Sequence, residues 1–187
     1  MSNSPSNMLP LGTLAPSFEL YDSVSGQNLA LDSLKGNLGT VIMFICNHCP
    51  FVIHVNPELV RMAKTYKEKG ISFIAISSND VVNYPQDGPE FMTQIAKDAN
   101  YTFPYLFDKT QEVAMAYDAA CTPDFYVFNK TLELVYRGQL DDSRPGNKKP
   151  LNGIDLRTAI NSIIEGTKLN TDQKPSMGCN IKWIKNS

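Results

Sequence analysis

An uninterrupted apolar run that ends directly on a pair of cysteines constrains the fold of this chain most. The run is TVIMFI at residues 40–45, and CNHCP follows at residues 46–50. A continuous run of β-branched and apolar residues is typical of a strand that is buried on both faces of a sheet. Such a strand needs helices on both sides, so we expect a layered α/β fold with the cysteines at the end of a central strand.

The rest of the chain alternates between helix-like and strand-like segments. We predict a helix that starts near Pro50, breaks at Asn56–Pro57 and resumes as far as Gly70. The other predicted elements are strands at residues 71–78, 104–108, 124–129 and 132–140, and helices at residues 90–98, 110–119 and 153–166. The last two strands are joined by a short polar turn and are predicted to form an antiparallel hairpin, so the central sheet is expected to be mixed.

Composition and charge exclude several classes of partner. The net charge is -2, and the 17 Lys and Arg residues are scattered, which argues against a nucleic-acid partner. Residues 1–18 lack the basic and apolar regions of a signal peptide, and no apolar run approaches the length of a membrane span, so no membrane partner is expected. We therefore expect a cytoplasmic protein, in which a close cysteine pair is more often catalytic or metal-binding than a permanent disulfide.

Cys46 and Cys49 stand where the predicted strand gives way to a helix. A helix N-terminus presents unpaired N–H groups and the positive end of the helix dipole, and both stabilise a thiolate. An imidazolium at His48 would lower the pKa of the neighbouring sulfur further. The sequence therefore predicts that Cys46 is the nucleophile, with a pKa below that of an ordinary cysteine.

A metal-binding function remains an alternative for the same cysteines. Two cysteines at this spacing form half of many zinc sites, although a structural zinc site needs four ligands. A copper or zinc carrier could use Cys46 and Cys49 with either His54 or Cys179. The redox interpretation is favoured, and it requires no cofactor and no metal.

Several motifs together resemble one family. A strand, a CxxC motif and a helix, followed later by Thr122–Pro123 ahead of a strand, are similar to the thioredoxin fold. LGTLAPSFEL, CNHCP, CTPDF, YRGQLDDSRP and GCNIKW resemble the peroxiredoxin-like branch of the redoxin superfamily, which includes alkyl hydroperoxide reductases and thiol-specific antioxidants. The resemblance runs from about Pro10 to Trp183. It implies a thioredoxin-like fold with an N-terminal extension and an inserted strand and helix between Asn79 and Phe107.

The resemblance also implies roles for individual residues. Cys46 corresponds to the attacking thiol, Cys49 to the resolving thiol, and His48 to a histidine that disulfide isomerases have at this place. Thr122 and Pro123 correspond to a pair with a cis peptide bond that faces the active-site disulfide. The backbone of this pair can bind an extended substrate as a neighbouring strand would.

Two positions depart from the family patterns. Thr40 stands where thioredoxins carry a buried acid that takes the proton of the resolving thiol. The peroxiredoxin pattern PxxxTxxC, aligned to end on Cys49, has Ile42 in place of the proline and Cys46 in place of the threonine. We therefore expect a slower or specialised reductase, and the family resemblance alone does not imply peroxidase activity.

Cys121 and Cys179 are additional candidate redox thiols. Cys121 lies two residues before Pro123, and Cys179 follows Gly178 in a polar tail. Each could exchange with the CxxC pair or be an inert buried cysteine. For the whole chain we predict a flexible N-terminus over residues 1–9, a redoxin domain over residues 10–166 and a tail over residues 167–187 that docks on the domain.

Three functions from different classes follow. The first is a thiol-disulfide oxidoreductase, the second is a thiol-dependent peroxidase that passes through a sulfenic acid, and the third is the metal carrier described above. The expected substrate is a disulfide-containing protein, a small-molecule thiol or a peroxide. The sequence carries no signal for the oligomeric state.

Overall fold

The structure is a computed structural model, and it describes residues 3–185. Its strands are β1 (Asn3–Pro5), β2 (Glu19–Asp22), β3 (Asn28–Ala30), β4 (Gly39–Phe44), β5 (Ile71–Ser77), β6 (Tyr105–Phe107), β7 (Cys121–Thr122), β8 (Asp124–Asn129), β9 (Leu134–Gly138) and β10 (Met177–Asn180). Its helices are α1 (Leu31–Leu34), α2 (Pro50–Lys67), α3 (Pro89–Asp98), α4 (Glu112–Ala116) and α5 (Ile154–Glu165), and a 3-10 turn covers Pro85–Asp87.

The central sheet has seven strands in the order β3-β2-β6-β5-β4-β8-β9. β4 is parallel to β5 and antiparallel to β8, which forms the predicted hairpin with β9. The sheet is therefore mixed, as the sequence predicts. Within residues 3–185, no helix is long and apolar enough to cross a membrane.

β4 lies in the middle of this sheet, and all of its residues are buried. Because successive side chains of a strand point to opposite faces, β4 contributes to two cores. Val41 and Met43 pack with residues of α2 and α5 on one face, whereas Ile42 and Phe44 pack with residues of α1 and α4 on the other. This burial on both faces is the α/β layering that the apolar run predicts, and it fixes the point where the chain leaves the sheet at Cys46.

The helix after the CxxC motif is continuous, so the predicted break at Asn56–Pro57 is wrong. α2 runs from Pro50 to Lys67 and contains Pro57. Proline removes one backbone hydrogen bond from a helix interior, which weakens the helix at that turn. Tertiary packing compensates, because apolar residues on both sides of Pro57 face the same core (Val52, Val55, Leu59, Met62).

Both ends of the described chain meet in a second, three-stranded sheet of order β1-β10-β7. The sequence predicts a flexible segment over residues 1–9, whereas Asn3–Pro5 forms β1 and pairs with β10. The side chain of Ser6 extends this attachment by donating a hydrogen bond to Asp124 at 2.6 Å. A strand at the edge of a sheet exposes unpaired backbone N–H and C=O groups. β10 avoids this because its backbone pairs with β1 on one side and with β7 on the other.

Gly178 allows β10 to approach β7 closely. A Cβ atom at this position would lie 2.0 Å from the carbonyl oxygen of Thr122, which is far shorter than any normal contact. β10 pairs with β7 so that Cys179 stands opposite Thr122. Glycine is therefore required at position 178 for the tail to reach the end of β7.

We predict that Gly178→Ala destabilises the protein by about 1–3 kcal/mol, the usual cost of forcing an extra carbon into a packed site. Urea unfolding at equilibrium measures the change. Thr171→Ala, at an exposed position of the same tail, is the control and should leave stability unchanged. Equal stability of the two variants would contradict the close approach of β10 to β7.

Candidate active site

Five elements bring their ends together at the CxxC motif. Cys46 lies two residues after the end of β4, and Cys49 is the N-cap of α2. Thr122 ends β7, and Cys179 lies opposite it on β10. Asp87 ends the 3-10 turn in the segment between β5 and α3. Strand ends, a helix N-terminus and a docked tail therefore form one buried cluster.

Three sulfur atoms lie within this cluster. Cys49 Sγ is 2.7 Å from Cys179 Sγ and 3.2 Å from the carbonyl oxygen of Thr122. Cys46 Sγ is 3.3 Å from the Thr122 hydroxyl oxygen, and the side chains of Cys46 and Cys49 hydrogen-bond to each other. Cys46 is 3% exposed, Cys49 0% and Cys179 2%. The thiols are thus almost shielded from water and interact mainly with one another.

The environment of Cys49 lowers its pKa to about 5. The largest cause is the hydrogen bond from Cys46, and the thiol of Cys179 and the backbone N–H groups of Val52 and Cys179 act in the same direction. Burial opposes the shift because it disfavours the charged form. When Cys49 is protonated, its thiol donates to the carbonyl oxygen of Thr122. Cys49 therefore holds the negative charge of the reduced pair.

The environment of Cys46 raises its pKa well above that of an ordinary cysteine, so the predicted lowering is wrong. The hydrogen bond with Cys49 is the largest cause, followed by burial and by the charge of Asp87, whereas the Thr122 hydroxyl acts in the opposite direction. The helix starts at Pro50 as predicted, so the reason for the error is the contact between the two thiols. Their hydrogen bond lowers the pKa of Cys49 and raises that of Cys46, and the backbone N–H of Val52 in the first turn of α2 adds to the effect on Cys49.

Asp87 lies beside Cys46, where the sequence predicts that His48 affects the pKa of the thiol. Its buried carboxylate accepts hydrogen bonds from the backbone N–H groups of Asn47 at 2.8 Å and His48 at 3.3 Å, and from the side chain of Asn79 at 2.8 Å. His48 Nδ1 lies 2.6 Å from the same carboxylate, and its ring stacks on Tyr84. Sequence analysis missed Asp87 because it lies in a loop without regular spacing.

A cation could find ligands beside Cys46. One ligand atom each of Cys46, His48 and Asp87 lies within 4.8 Å of the others. The Asp87 oxygens already accept the hydrogen bonds described above, so a cation would have to displace His48 from Asp87. His54, the histidine of the predicted metal-carrier alternative, lies 2.8 Å from Ser143 Oγ through its Nε2 atom. The arrangement is better suited to protein hydrogen bonds than to a metal.

Thr122 and Cys121 point in different directions from β7. The Thr122–Pro123 peptide bond is cis, as the family resemblance implies. Cys121 pairs with Asn180 rather than with Cys179, and alternate residues of a strand face opposite sides. Burial raises the pKa of the Cys121 thiol, which lies 3.8 Å from the carbonyl oxygen of Pro123. Of the two additional candidates, the structure brings Cys179 to the CxxC pair, and it turns Cys121 away.

Cys46 opens toward a groove of about 440 Å³. The groove runs between the start of α2 and the end of α3, with Val52 and Ile53 on one side and Ala99 and Tyr101 on the other. Apolar side chains around one sulfur are typical of a small-ligand site. A molecule in this groove meets Cys46 before either of the deeper sulfur atoms.

We predict that the reduced protein carries one thiolate that titrates at a pH of about 5, because Cys49 has the lowered pKa. Ultraviolet absorbance of the thiolate against pH measures the ionisation. Cys49→Ser should remove the transition, and Cys121→Ser should keep it. A reduced wild-type protein without thiolate absorbance below pH 7 would contradict the assignment.

The ionisation of Cys49 also makes the stability of the protein and its reduction potential depend on pH. The pKa of Cys49 is lower in the folded protein than the value of about 8.5 in an unfolded chain, so its contribution to stability is present above that value and is lost as pH falls through about 5. Between a pH of about 5 and the raised pKa of Cys46, reduction of the Cys46–Cys49 disulfide takes up one proton for two electrons. The reduction potential should therefore change by about 30 mV per pH unit, compared with about 59 mV if both thiols were protonated.

We further predict that Asp87→Asn lowers the pKa of Cys46, because it removes a negative charge that raises it. Alkylation of Cys46 at neutral pH should become several-fold faster, as followed by mass spectrometry of the modified peptide. Asp80→Asn is the matched control, since it removes a charge from the same segment and should leave the rate unchanged. Equal rates in both variants would exclude the proposed influence of Asp87.

Comparison with known proteins agrees with this site. Over 125 residues the chain is 29% identical to thiol-disulfide oxidoreductase ResA of Halalkalibacterium halodurans, which covers 66% of this chain and 65% of that protein. The chain thus matches slightly less than two thirds of the length of this relative. It is 55% identical to an uncharacterized conserved protein of Geobacillus kaustophilus of known crystal structure, with a TM-score of 0.98 over 100% of this chain and 99% of the other.

The fold and the family follow from two further matches. A putative thioredoxin of Neisseria meningitidis superimposes with a TM-score of 0.62 over 84% of this chain and 91% of that one at 23% identity, which shows a thioredoxin-like fold. The AhpC/TSA family matches residues 11–137, a segment that includes Cys46, Cys49 and the Thr122–Pro123 pair but ends before Cys179. Because this match covers more than half of the chain, the protein belongs to the AhpC/TSA family.

Proposed function

We propose that the protein is a thiol-disulfide oxidoreductase in which Cys46 contacts the substrate and Cys49 acts as its base and resolving thiol. One observation carries the proposal. The two cysteines hydrogen-bond to each other with pKa values shifted in opposite directions, and Cys46 lines a groove that is open to solvent. Two neighbouring groups whose environments push their pKa values apart are typical of an acid and base pair. The ResA name of a relative supports the same function.

The reaction starts with a proton transfer inside the pair. Cys46 gives its proton to the Cys49 thiolate, and the new Cys46 thiolate attacks one sulfur of the substrate disulfide. A mixed disulfide forms on Cys46, and the first substrate thiolate leaves. This thiolate takes the proton from Cys49, which then attacks Cys46 and releases the second substrate thiolate. The products are a Cys46–Cys49 disulfide and a reduced substrate.

The lowered pKa of Cys49 substitutes for the acid that is missing at Thr40. A thioredoxin-like enzyme needs a proton acceptor next to the resolving thiol. Here the leaving substrate thiolate is the acceptor, and the lowered pKa of Cys49 favours this proton transfer without a separate carboxylate. A stabilised thiolate also stabilises the reduced state, so we expect a pair that accepts electrons more readily than an unperturbed dithiol.

The geometry favours small disulfides as substrates. An extended peptide would bind by pairing with the backbone of Thr122, but β10 already pairs there through Cys179. Within the described residues, the groove beside Cys46 is a route to the CxxC pair that β10 leaves open. A protein substrate would have to insert a flexible disulfide into this groove or displace β10, whereas a small disulfide needs neither change.

The other functions receive less support. Peroxidase chemistry and an antioxidant role rest on family membership, and the threonine of the peroxidase pattern is replaced by Cys46. A metal carrier would have to break the contact between His48 and Asp87. The cytoplasmic location stays a prediction, and fractionation of cells that express the tagged full chain tests it.

Reaction of the reduced protein with oxidised glutathione tests the proposed function. We expect consumption of two thiols per chain, with a Cys46–Cys49 disulfide as the first product. Cys49→Ser should slow attack by about a hundredfold or more, because it removes the internal base. Cys46→Ser should abolish fast reaction, and Cys121→Ser should react like the wild type. Faster oxidation by hydrogen peroxide than by oxidised glutathione, with a sulfenic acid on Cys46 or Cys49, would favour the peroxidase instead.

A further inference from the structure

A third sulfur lies beside the CxxC pair, outside the segment that the family match covers. Cys179 Sγ is 2.7 Å from Cys49 Sγ, and both residues are buried. The position is built by the fold, because Gly178 allows β10 to approach Thr122 and the strand register places Cys179 opposite that residue. A cysteine held against a redox-active thiol in this way is placed for reaction rather than for packing alone.

We propose that Cys179 is a second resolving thiol, which takes Cys49 from the Cys46–Cys49 disulfide and forms a Cys49–Cys179 disulfide. The inference rests on the proposed function, since that reaction supplies the Cys46–Cys49 disulfide. In the exchange, the Cys179 thiolate attacks Cys49 Sγ, the bond between Cys46 and Cys49 breaks, and Cys46 leaves as a thiolate. The proton lost by Cys179 is available to Cys46. No further oxidant or reductant is needed.

The geometry selects this pair among the possible ones. Cys179 Sγ contacts Cys49 Sγ at 2.7 Å, whereas Cys46 Sγ contacts the Thr122 hydroxyl oxygen at 3.3 Å. Cys121 pairs with Asn180, the residue after Cys179, and its side chain lies on the side of β7 opposite to that of Thr122. Attack at Cys49 is therefore the exchange that requires the smallest movement.

The exchange changes what the oxidised protein presents to solvent. In the Cys46–Cys49 disulfide the groove contains no reactive thiol. After transfer to Cys179, the disulfide is buried below the groove and Cys46 is a thiol again. An oxidised chain can then form a mixed disulfide between Cys46 and a second substrate molecule, an exchange that releases one substrate thiolate and leaves the number of disulfides unchanged.

Mapping of disulfides in the full chain tests the proposal. Reduced wild type, Cys46→Ser, Cys179→Ser and Cys121→Ser are treated with one equivalent of diamide, a small oxidant of dithiols. The remaining thiols are then labelled with a maleimide, and the peptides are identified by mass spectrometry. Cys121→Ser is the matched control, because it replaces a buried cysteine that faces away from the cluster. Circular dichroism checks that each variant is folded.

We expect Cys46→Ser to form an intrachain Cys49–Cys179 disulfide. Oxidised wild type and Cys121→Ser should both retain a Cys46 that reacts with maleimide, and this labelling should fall at least about tenfold in Cys179→Ser, where the disulfide stays on Cys46. A Cys46→Ser protein that yields only chains linked to one another, or keeps both thiols, overturns the proposal.

These experiments can exclude the role of Cys179 without excluding the proposed function. If Cys179→Ser forms the Cys46–Cys49 disulfide and reduces oxidised glutathione while Cys46→Ser forms no internal disulfide, the proposed function stands and the role of Cys179 is excluded. If Cys179→Ser, folded and with both CxxC thiols present, forms no Cys46–Cys49 disulfide with either oxidant, the proposed function is excluded and this inference falls with it.

Discussion

The negative charge of a fully buried sulfur is the constraint on which the rest of the site depends. Cys49 is shielded from water, so protein groups must supply every donor that stabilises its thiolate. The donors come from Cys46 at the end of β4, from the first turn of α2 at Val52, and from Cys179 on β10. Because β10 is also paired with β1 near the N-terminus, docking of both chain ends is coupled to the chemistry of one sulfur.

Asp87 adds to the difference between the two cysteines of the motif, which arises first from the hydrogen bond between them. Its carboxylate is satisfied by backbone and side-chain donors, which allows a charge to remain buried next to Cys46. That charge disfavours a thiolate on Cys46 and leaves the proton there. The resting pair therefore has its charge on the inner sulfur and its proton on the outer one. The motif CNHC contains no information about the part that Asp87 plays in this polarity, because Asp87 belongs to another segment.

The sequence predicts the parts of the fold that regular patterns encode. The apolar run of β4 and the cysteine pair at its end identify the central strand, the mixed sheet and the place of the site. The start of α2 at Pro50 is predicted as well, but the directions of the two thiol pKa shifts are not, because they depend on contacts among Cys46, Cys49 and Cys179 that form only in the folded chain. β10 and Asp87 were also beyond prediction, because a short tail strand and a loop carboxylate acquire their partners only in the folded chain.

The tail gives this chain a different site from the one that its family motif specifies. The family match ends at residue 137, whereas β10 begins at Met177. By pairing with Thr122, β10 occupies a backbone edge that an extended substrate could use, and it also adds a sulfur next to Cys49. Recognition then has to come from the groove at Cys46, where the sulfur is covered by side chains rather than by a neighbouring strand. In the proposed function, substrate choice and thiol chemistry therefore both depend on a segment that lies outside the CxxC motif.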